Sequence, residues 1–378
     1  MTKSRLRIAI ATNGRFHVLD LARELVSLGM DVTFYSLLPN RRAEQFGLDS
    51  RFCRSVFPAM APLIAWQRLA PKAAPGTLER WHAHSLNRAI RAKLEPCDVF
   101  IGMSGLIVEA AQTARERYGA RIFVERGSKH IDVQAAILAE QDAEGPSPFA
   151  IDRERRSYAM ADRIMIPAEH VRRSFDHDRA SIGKLMINPY GVDLNDFPQH
   201  TAPRKGAPTV VFSGGWLRRK GVDVLVEALR LTPEIRFIHI GGRGDFPFPN
   251  DPRFEHVDPV DQHRLREFYE QADAFAIASR EEGLALVQIQ ALASGLPLVC
   301  TDQTGGRDLA YTPALANRII EVPVEDATAL AAAMRRAIQI GRAGGMLPPA
   351  DRDRLSWRAY AERYHEHIER DLTEAGRP

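Results

Sequence analysis

Short apolar runs rich in β-branched residues alternate with amphipathic segments of helical length along most of the chain. The first series starts with a predicted strand at residues 7–12, a turn at Asn13 and Gly14, a helix at 18–28 and a strand at Asp31–Ser36. Further strands are predicted at residues 98–103, 121–125 and 163–167. Strands that alternate with helices in this way favour a parallel sheet with helices on both faces.

The same pattern occurs a second time after a proline-rich stretch. Residues 188–208 hold four prolines and two glycines, which are typical of a domain junction. Beyond them, strands are predicted at residues 208–214, 235–241, 254–257, 272–279 and 296–301, and helices at 222–231, 261–271 and 284–293. A last helix is predicted at 356–373, after the repeating units.

These elements predict an α/β protein made of two Rossmann-like, doubly wound parallel-sheet domains that face each other across a cleft. The first domain should comprise residues 1–190 and the second residues 191–355. Residues 356–378 should form a C-terminal helix that packs back across the junction.

The composition agrees with two globular domains. A chain of 378 residues exceeds the size at which one hydrophobic core usually stops growing, and 45% apolar and 26% charged residues are ordinary globular values. Cys53, Cys97 and Cys300 are far apart and form no CxxC pair, which argues against a disulfide framework or a zinc site. The first residues lack the apolar core of a signal peptide, so a cytoplasmic protein is expected.

The net charge of +3 hides a basic N-terminal region, in which residues 1–95 hold 15 lysines and arginines against 7 aspartates and glutamates. There Trp66 and Trp81 alternate with the basic residues Arg68, Lys72, Arg80, Arg88 and Arg91. Two interpretations stay open: a solvated surface with packed tryptophans, or peripheral contact with an anionic membrane or a lipid diphosphate. No run reaches the roughly 18 apolar residues of a spanning helix, and no nucleic acid partner is predicted.

Residues 281–299, EEGLALVQIQALASGLPLV, hold the densest candidate chemistry. A predicted strand ends at Ser279 and leads into acidic residues and Gly283 before an apolar helix. Ligands of doubly wound domains bind at the carboxyl ends of strands, where the next helix presents free N–H groups to phosphate. Glu282 and Gly283 should therefore line the cleft. Gln290 follows Glu282 by eight residues, about two helical turns, so both are expected on one side of the element.

This segment resembles the E-x7-E signature of glycosyltransferase family 4, whose members have the GT-B fold, use nucleotide sugars and retain the anomeric configuration. The likeness continues on both sides of the signature, in Ser279, Ala291, Gly295-Leu296-Pro297 and Thr304-Gly305-Gly306. Upstream, residues 213–229 resemble the family's basic donor-phosphate loop and helix, and residues 188–193 resemble its linker motif. The resemblance spans nearly the whole second domain and, more weakly, the first.

The resemblance implies which residues hold the donor sugar and its ribose. Glu282 would bind hydroxyls of the donor sugar. Gln290 stands where the family has a second glutamate, so its carbonyl would accept a weaker hydrogen bond from the ribose. Gly283, Leu284, Ala285 and Leu286 would complete the site beside Glu282, together with Gly214 of the basic loop. The resemblance also implies that the second domain binds the nucleotide sugar and the first the acceptor. The turn at Gly14 resembles the family's glycine loop that approaches the donor phosphate and the acceptor.

The resemblance also implies a cationic site for the donor diphosphate. The family's arginine and lysine, five residues apart, fall here on Gly215 and Lys220, so Arg218 or Arg219 would replace the arginine. Breaking a glycosyl phosphate bond puts negative charge on the departing diphosphate, which fixed cations stabilise. A lysine at a helix start is otherwise unfavourable because of the helix dipole, so Lys220 is predicted to be functional.

In the first domain, residues 125–131 (ERGSKHI) follow a predicted strand and concentrate ionisable groups, which suggests a site. The family often has a histidine just after this strand, near the reacting sugar. By register that position is Arg126, while His130 lies four residues further on, so both are candidate catalytic residues. Together with Glu282 and Lys220 they complete the predicted catalytic set.

The predicted function is retaining transfer of a sugar from a UDP- or GDP-sugar to a glycan, lipid-linked or small-molecule acceptor, in bacterial surface polysaccharide or lipopolysaccharide synthesis. The resemblance implies no metal and no cofactor besides the donor, because side chains supply the cations. Two other classes stay open. A GT-B-like nucleotide-sugar epimerase would share the fold, and a non-catalytic nucleotide-sugar-binding protein would account for Gln290 and Gly215.

Overall fold

The computed structural model describes residues 5–69, 75–141, 143–199 and 206–376. Lys72, the side chain of Arg68 and residues 200–205 of the predicted junction lie outside the described residues. The described residues form two parallel sheets, one on each side of the junction. The prediction of two doubly wound α/β domains is confirmed.

The first sheet has seven parallel strands in the order β3-β2-β1-β4-β5-β6-β7. The strands are β1 (Arg7–Ala11), β2 (Asp31–Ser36), β3 (Cys53–Ser55), β4 (Val99–Met103), β5 (Arg121–Glu125), β6 (Arg163–Ile166) and β7 (Leu185–Ile187). Its helices are α1 (His17–Ser27), α2 (Asn40–Glu44), α3 (Phe57–Leu69), α4 (Pro75–Lys93), α5 (Val108–Tyr118), α6 (Ile131–Glu140), α7 (Pro148–Met160) and α8 (Glu169–Arg173).

The second sheet has six parallel strands in the order β10-β9-β8-β11-β12-β13. The strands are β8 (Thr209–Ser213), β9 (Arg236–Ile240), β10 (Phe254–Val257), β11 (Ala274–Ile277), β12 (Leu298–Thr301) and β13 (Ile319–Val322). Its helices are α9 (Val222–Arg230), α10 (Leu265–Tyr269), α11 (Leu286–Ala293), α12 (Pro313–Ala316) and α13 (Ala327–Ala343), and two more follow, α14 (Pro349–Asp353) and α15 (Trp357–Glu374).

The central strands are buried on both faces, because helices cover each sheet from both sides. Every residue of β8 is buried, and its run of Val210, Val211 and Phe212 is apolar without alternation, as expected for an inner strand of a parallel sheet. Each such side chain contributes about 1.5–3 kcal/mol through burial. Amphipathic α1 and α9 pack their apolar stripes onto these strands.

The short edge strands β3, β7 and β13 were not predicted. They have three or four residues and take part in pairing on one side only, so their sequences carry little strand signal. The described residues of the stretch 58–93 form the two helices α3 and α4, with Pro62 inside the first of them. Among the described residues, none of the helices has the length and apolar character required to cross a bilayer.

The C-terminal helix α15 packs against α1 of the first domain, although it follows the second domain in sequence. Its fully buried Asp371 binds Arg121 at 2.7 Å and Arg163 at 2.8 Å, both at the starts of first-sheet strands. Val192 forms a bridge with Ser356, so the two stretches that connect the domains lie side by side. The segments before and after the second domain therefore pair with each other, and the later one, α15, also packs against the first domain.

Candidate active site

The signature segment lies between β11 and α11, at the carboxyl edge of the second sheet. Helix α11 begins at Leu286 with Ala285 as its N-cap, so Glu282 lies in the loop before the helix and the expected helical spacing to Gln290 was wrong. The oxygen Oε1 of buried Gln290 has no hydrogen-bond partner within the described residues. An unpartnered buried carbonyl is costly unless something donates to it.

Lys220 and Glu282 form an ion pair at the centre of this edge. The ammonium group contacts Oε2 of Glu282, and the two side chains are 14% and 18% exposed. Burial, with a further contribution from the charge of Arg219, lowers the pKa of Lys220 to about 7. The structure therefore brings together the two residues for which sequence analysis predicts roles in sugar and phosphate binding.

The three basic residues of the donor-phosphate loop form a one-turn 3-10 helix, Arg218–Lys220. Gly221, in a left-handed conformation, ends this helix. Gly221 has φ +66°, and a Cβ there would lie 1.9 Å from the carbonyl oxygen of Ala278. Only glycine allows the turn to approach β11 so closely. The donor-loop glycines Gly214 and Gly215 lie just before this turn, at the end of β8.

The two candidate arginines have different surroundings. The guanidinium of Arg219 donates to the carbonyl oxygen of Glu281 at 2.9 Å and lies 3.3 Å from its carboxylate. Arg218 is more exposed, and its guanidinium lies 5.0 Å from the ring centre of Phe246. Arg219 is therefore the arginine fixed beside Lys220.

Buried Glu281 links the two domains, a role that sequence analysis did not predict. One carboxylate oxygen accepts a hydrogen bond from the Ser128 hydroxyl of the first domain, and the other faces Arg219 of the second. The charges of Glu281 and Arg219 compensate each other in a site with little water, where an unpaired charge would be costly. The only sequence signal for Glu281 was its position beside Glu282.

Other contacts close the same gap between the domains. The imidazole Nε2 of His170 donates to the carbonyl oxygen of Glu282 at 2.7 Å, and burial lowers the pKa of His170 to about 3, so the ring is neutral. Lys129 Nζ donates to Gln303 at 2.5 Å. A Cβ on Gly283 would lie 1.8 Å from the carbonyl oxygen of Gly127, so the domains touch backbone to backbone here. No local pattern distinguished His170.

The glycine-rich turn after β12 completes the edge. Gly305 lies against Gly283 and Leu284, and a Cβ on Gly306 would lie 2.5 Å from the sulfur of Cys300. Thr304 accepts a hydrogen bond from Gln288 at 3.0 Å, which fixes this turn to α11. The turn, the loop with Glu282 and the start of α11 therefore form one surface that presents backbone N–H groups.

In the first domain, Arg126 and His130 lie in different environments. Arg126 is buried and donates to the Lys129 carbonyl, Glu154 and Gln134. The ring of His130 packs against Phe175 and caps α6 by accepting from the N–H of Asp132 at 3.2 Å. Burial lowers the pKa of His130.

The predicted turn at Gly14 lies at the start of α1. It leads to His17, whose Nε2 is 2.9 Å from the carboxylate of Glu125 at the end of β5. This contact places the Gly14 turn beside the ERGSKHI segment. Both lie at the carboxyl edge of the first sheet, where ligands of such domains bind.

Asp308, in the turn after β12, accepts a hydrogen bond from the N–H of Glu169 at 2.9 Å, and burial raises its pKa to about 6. The folded state therefore binds more protons than the unfolded state between about pH 4 and 6, and stability falls as the pH rises through that range. Asp308→Asn keeps the acceptor without the charge. It should stabilise the protein by about 1–2 kcal/mol at pH 7.5, allowing for partial exposure.

The difference between Asp308→Asn and the wild type should vanish near pH 4, where the wild-type carboxyl is neutral. Urea unfolding at pH 4 and 7.5 checks this, with Asp351→Asn on the surface helix α14 as the matched control. An equal difference at both pH values would contradict the assigned burial of the charge.

Comparison with known proteins agrees with this geometry. The family model described as Glycosyl transferases group 1 matches residues 207–339. A D-inositol 3-phosphate glycosyltransferase of Xylanimonas cellulosilytica is 29% identical over 206 residues, which are 46% of this chain and 48% of the relative. A putative teichuronic acid biosynthesis glycosyltransferase of Bacillus subtilis is 30% identical over 135 residues, 32% of this chain and 33% of the relative. Such matches span about half or less of the relatives' length.

Solved structures show the same fold over the whole chain. Sucrose-phosphate synthase from Thermosynechococcus elongatus superposes with a TM-score of 0.69 at 18% identity, covering 98% of this chain and 100% of that one. HepE of Anabaena, in complex with UDP and glucose, has a TM-score of 0.65 at 12% identity and covers 97% and 100%.

The fold is that of the GT-B glycosyltransferases. Residues 207–339 match the group 1 glycosyltransferases, which confirms the predicted resemblance to a glycosyltransferase of the family 4 type.

Proposed function

We propose that the chain is a retaining glycosyltransferase that moves a sugar from a nucleoside diphosphate to an acceptor hydroxyl in the cleft between the domains. The observation that carries this proposal is the Lys220–Glu282 pair. It places one cation and one carboxylate side by side at a helix start, beside a glycine-rich turn. The cation can bind a diphosphate, and the carboxylate can accept a hydrogen bond from a sugar hydroxyl.

The donor site is proposed as follows. Lys220 and Arg219 bind the diphosphate, together with N–H groups of the Gly305 turn and the start of α11. Glu282, released from Lys220 when the diphosphate arrives, accepts from hydroxyls of the sugar. The unpartnered carbonyl of Gln290 accepts from the ribose, which supplies the hydrogen bond that this buried oxygen lacks.

In the proposed reaction, the bond from the anomeric carbon to the diphosphate oxygen breaks and its electron pair stays on the diphosphate. The acceptor hydroxyl forms the new bond on the same face, and its proton passes to the leaving diphosphate. Lys220 and Arg219 stabilise the charge that develops there. Arg126 and His130 are proposed to hold the first-domain loop that faces this reaction.

A thermal-shift screen of nucleoside diphosphates tests the donor site. Binding to the folded state raises its stability with the logarithm of ligand concentration over Kd. We expect UDP or GDP to raise the Tm by several degrees at a hundredfold excess over Kd. If no nucleoside diphosphate shifts the Tm of the folded protein, the proposal fails.

Two other functions fit the same fold. A nucleotide-sugar epimerase would convert the donor with no acceptor present, and mass spectrometry combined with NMR of the donor alone would reveal the new isomer. A non-catalytic binding protein would keep its biological function when Glu282 is replaced by alanine. The transferase instead predicts that the same variant loses sugar transfer.

The proposed acceptor is a glycan, lipid-linked or small molecule of bacterial surface polysaccharide or lipopolysaccharide synthesis, with the protein in the cytoplasm. The Bacillus subtilis relative is named as a putative glycosyltransferase of teichuronic acid biosynthesis, which supports this setting. Contact with a membrane surface is part of the proposal. It is supported by Trp66 and Trp81, which are 44% and 53% exposed with ring centres 5.4 Å apart.

The membrane proposal predicts that the protein binds vesicles containing about one third anionic phospholipid. The double variant Trp66→Ala/Trp81→Ala should bind them at least about tenfold more weakly, because interfacial binding scales with buried aromatic area. Vesicle co-sedimentation measures the effect, with Leu231→Ala, exposed on the second domain, as the matched control. Equal binding by the wild type and the double variant would rule out this surface.

A further inference from the structure

The first domain contains an open cavity of about 500 Å³ at the carboxyl ends of β4 and β5, lined in part by α4, α6 and α7. Its apolar lining residues include Ala83, Leu106, Ile131 and Phe149. Carboxylate, hydroxyl and amide groups line it as well. A cavity with an apolar lining and a few polar groups is typical of a small-molecule site.

A chain of hydrogen bonds connects this cavity with the candidate active site. Gln134 lines the cavity and donates to the Ser128 hydroxyl at 3.3 Å. Ser128 in turn donates to Glu281, the residue next to Glu282 in sequence. The side chains of Gln134 and Ser128 therefore link the cavity to the loop that holds Glu282.

The arginines of the cavity already have protein partners. Arg126 donates to Glu154 at 3.1 Å, to Gln134 at 2.7 Å and to the Lys129 carbonyl. Arg153 binds Glu109 through two hydrogen bonds of 2.7 and 2.9 Å. Neither guanidinium offers the free pair of N–H groups with which arginine binds a phosphate.

The carboxylates of the cavity accept hydrogen bonds from hydroxyls. Glu154 accepts from Ser104 at 2.5 Å, and Glu79 accepts from Ser147 at 2.7 Å. A sugar hydroxyl can share or replace such a bond, because it is chemically the same donor. A phosphate group has acceptor oxygens only at neutral pH. It would be repelled by Glu79, which forms no ion pair within the described residues, whereas Arg126 already compensates the charge of Glu154.

We propose that this cavity binds an uncharged, hydroxyl-rich ring of the acceptor, a sugar or cyclic polyol without phosphate. The inference rests on the proposed transferase function and names the acceptor class for it. Carboxylates Glu79 and Glu154 bind the hydroxyls, and Phe149 with its apolar neighbours packs against the ring. Relatives named D-inositol 3-phosphate glycosyltransferases act on an acceptor that carries a phosphate, so the chain would differ from them in acceptor.

Saturation-transfer NMR on the whole chain tests the cavity, with saturating UDP or GDP present. The probes are glucose, galactose, mannose and myo-inositol, each paired with its monophosphate. At least one uncharged probe should bind, and its phosphate should bind at least about tenfold more weakly because of the Glu79 carboxylate. Phe149→Ala should weaken binding of the uncharged probe about tenfold or more. The control Phe57→Ala, at an exposed residue, should leave this binding unchanged.

A second variant keeps the test valid if Phe149→Ala does not fold. Glu79→Gln removes one carboxylate and should narrow the difference between the uncharged probe and its phosphate, whereas Glu116→Gln on the surface of α5 should leave it unchanged. Tighter binding of a phosphate in the wild type, or binding of no uncharged probe while UDP or GDP binds, overturns the cavity assignment alone. If an uncharged probe binds but no nucleoside diphosphate binds to the protein, the proposed donor function is overturned and the cavity assignment stands.

Discussion

Glu282→Ala should reduce sugar transfer by about a hundredfold or more, the range seen when one group that stabilises a transition state is removed. The same variant should bind the free nucleoside diphosphate as tightly as the wild type, or more tightly. The reason is that Glu282 competes with the diphosphate for Lys220, which it contacts directly. Initial rates of transfer and calorimetric titration with the nucleoside diphosphate measure the two effects separately.

The opposite changes in transfer and nucleotide binding distinguish Glu282 from a merely structural residue. Glu282→Gln keeps the shape and should lose most of the rate as well, since the carboxylate charge is removed. Glu267→Ala, on the exposed α10 of the same domain, is the matched control and should change neither quantity. Equal weakening of transfer and nucleotide binding by Glu282→Ala would contradict the assigned role.

Lys220→Ala should weaken nucleoside diphosphate binding by about 10- to 100-fold, the effect of one hydrogen bond to a charged group. It should also lower the rate, because Lys220 stabilises the departing diphosphate. Lys220→Arg should recover a large part of both, since it restores the positive charge. Calorimetry and initial rates check these changes, and Arg230→Ala on the exposed end of α9 is the control.

The lowered pKa of Lys220 gives this residue a pH signature. In the unliganded protein the pKa is about 7, and the diphosphate binds the protonated form. Nucleotide affinity should therefore fall as the pH rises above 7, by up to about tenfold per pH unit until the pKa of the bound form is reached. Lys220→Arg should lose this dependence because a guanidinium stays charged. The same slope in both proteins would show that another group titrates.

Most of the fold could be predicted from the sequence, because buried parallel strands appear in it as uninterrupted apolar runs. Strand β8 and the amphipathic helix α9 are examples. The edge strand β3 was missed because three residues that pair on one side carry little pattern. Helix α3, which contains Pro62, was given no bounds from the sequence.

The candidate site was predictable only where its residues share one segment of sequence. Glu282 and Lys220 lie in local motifs, and the structure pairs them. The contact of Ser128 with Glu281 joins loops 153 residues apart. Neither segment contains a pattern from which this contact could be predicted. The helical geometry expected for Glu282 was wrong because α11 starts four residues later, at Leu286.

The central claim is retaining transfer of a sugar from a nucleoside diphosphate to a hydroxyl, and an NMR time course tests it most directly. The wild type is incubated with the donor named by the thermal-shift screen and with the uncharged acceptor that binds the cavity. We expect equal amounts of nucleoside diphosphate and of a glycoside whose anomeric proton shows the configuration of the donor. A product of inverted configuration would contradict retention, and conversion of the donor to an isomer without glycoside would contradict transfer.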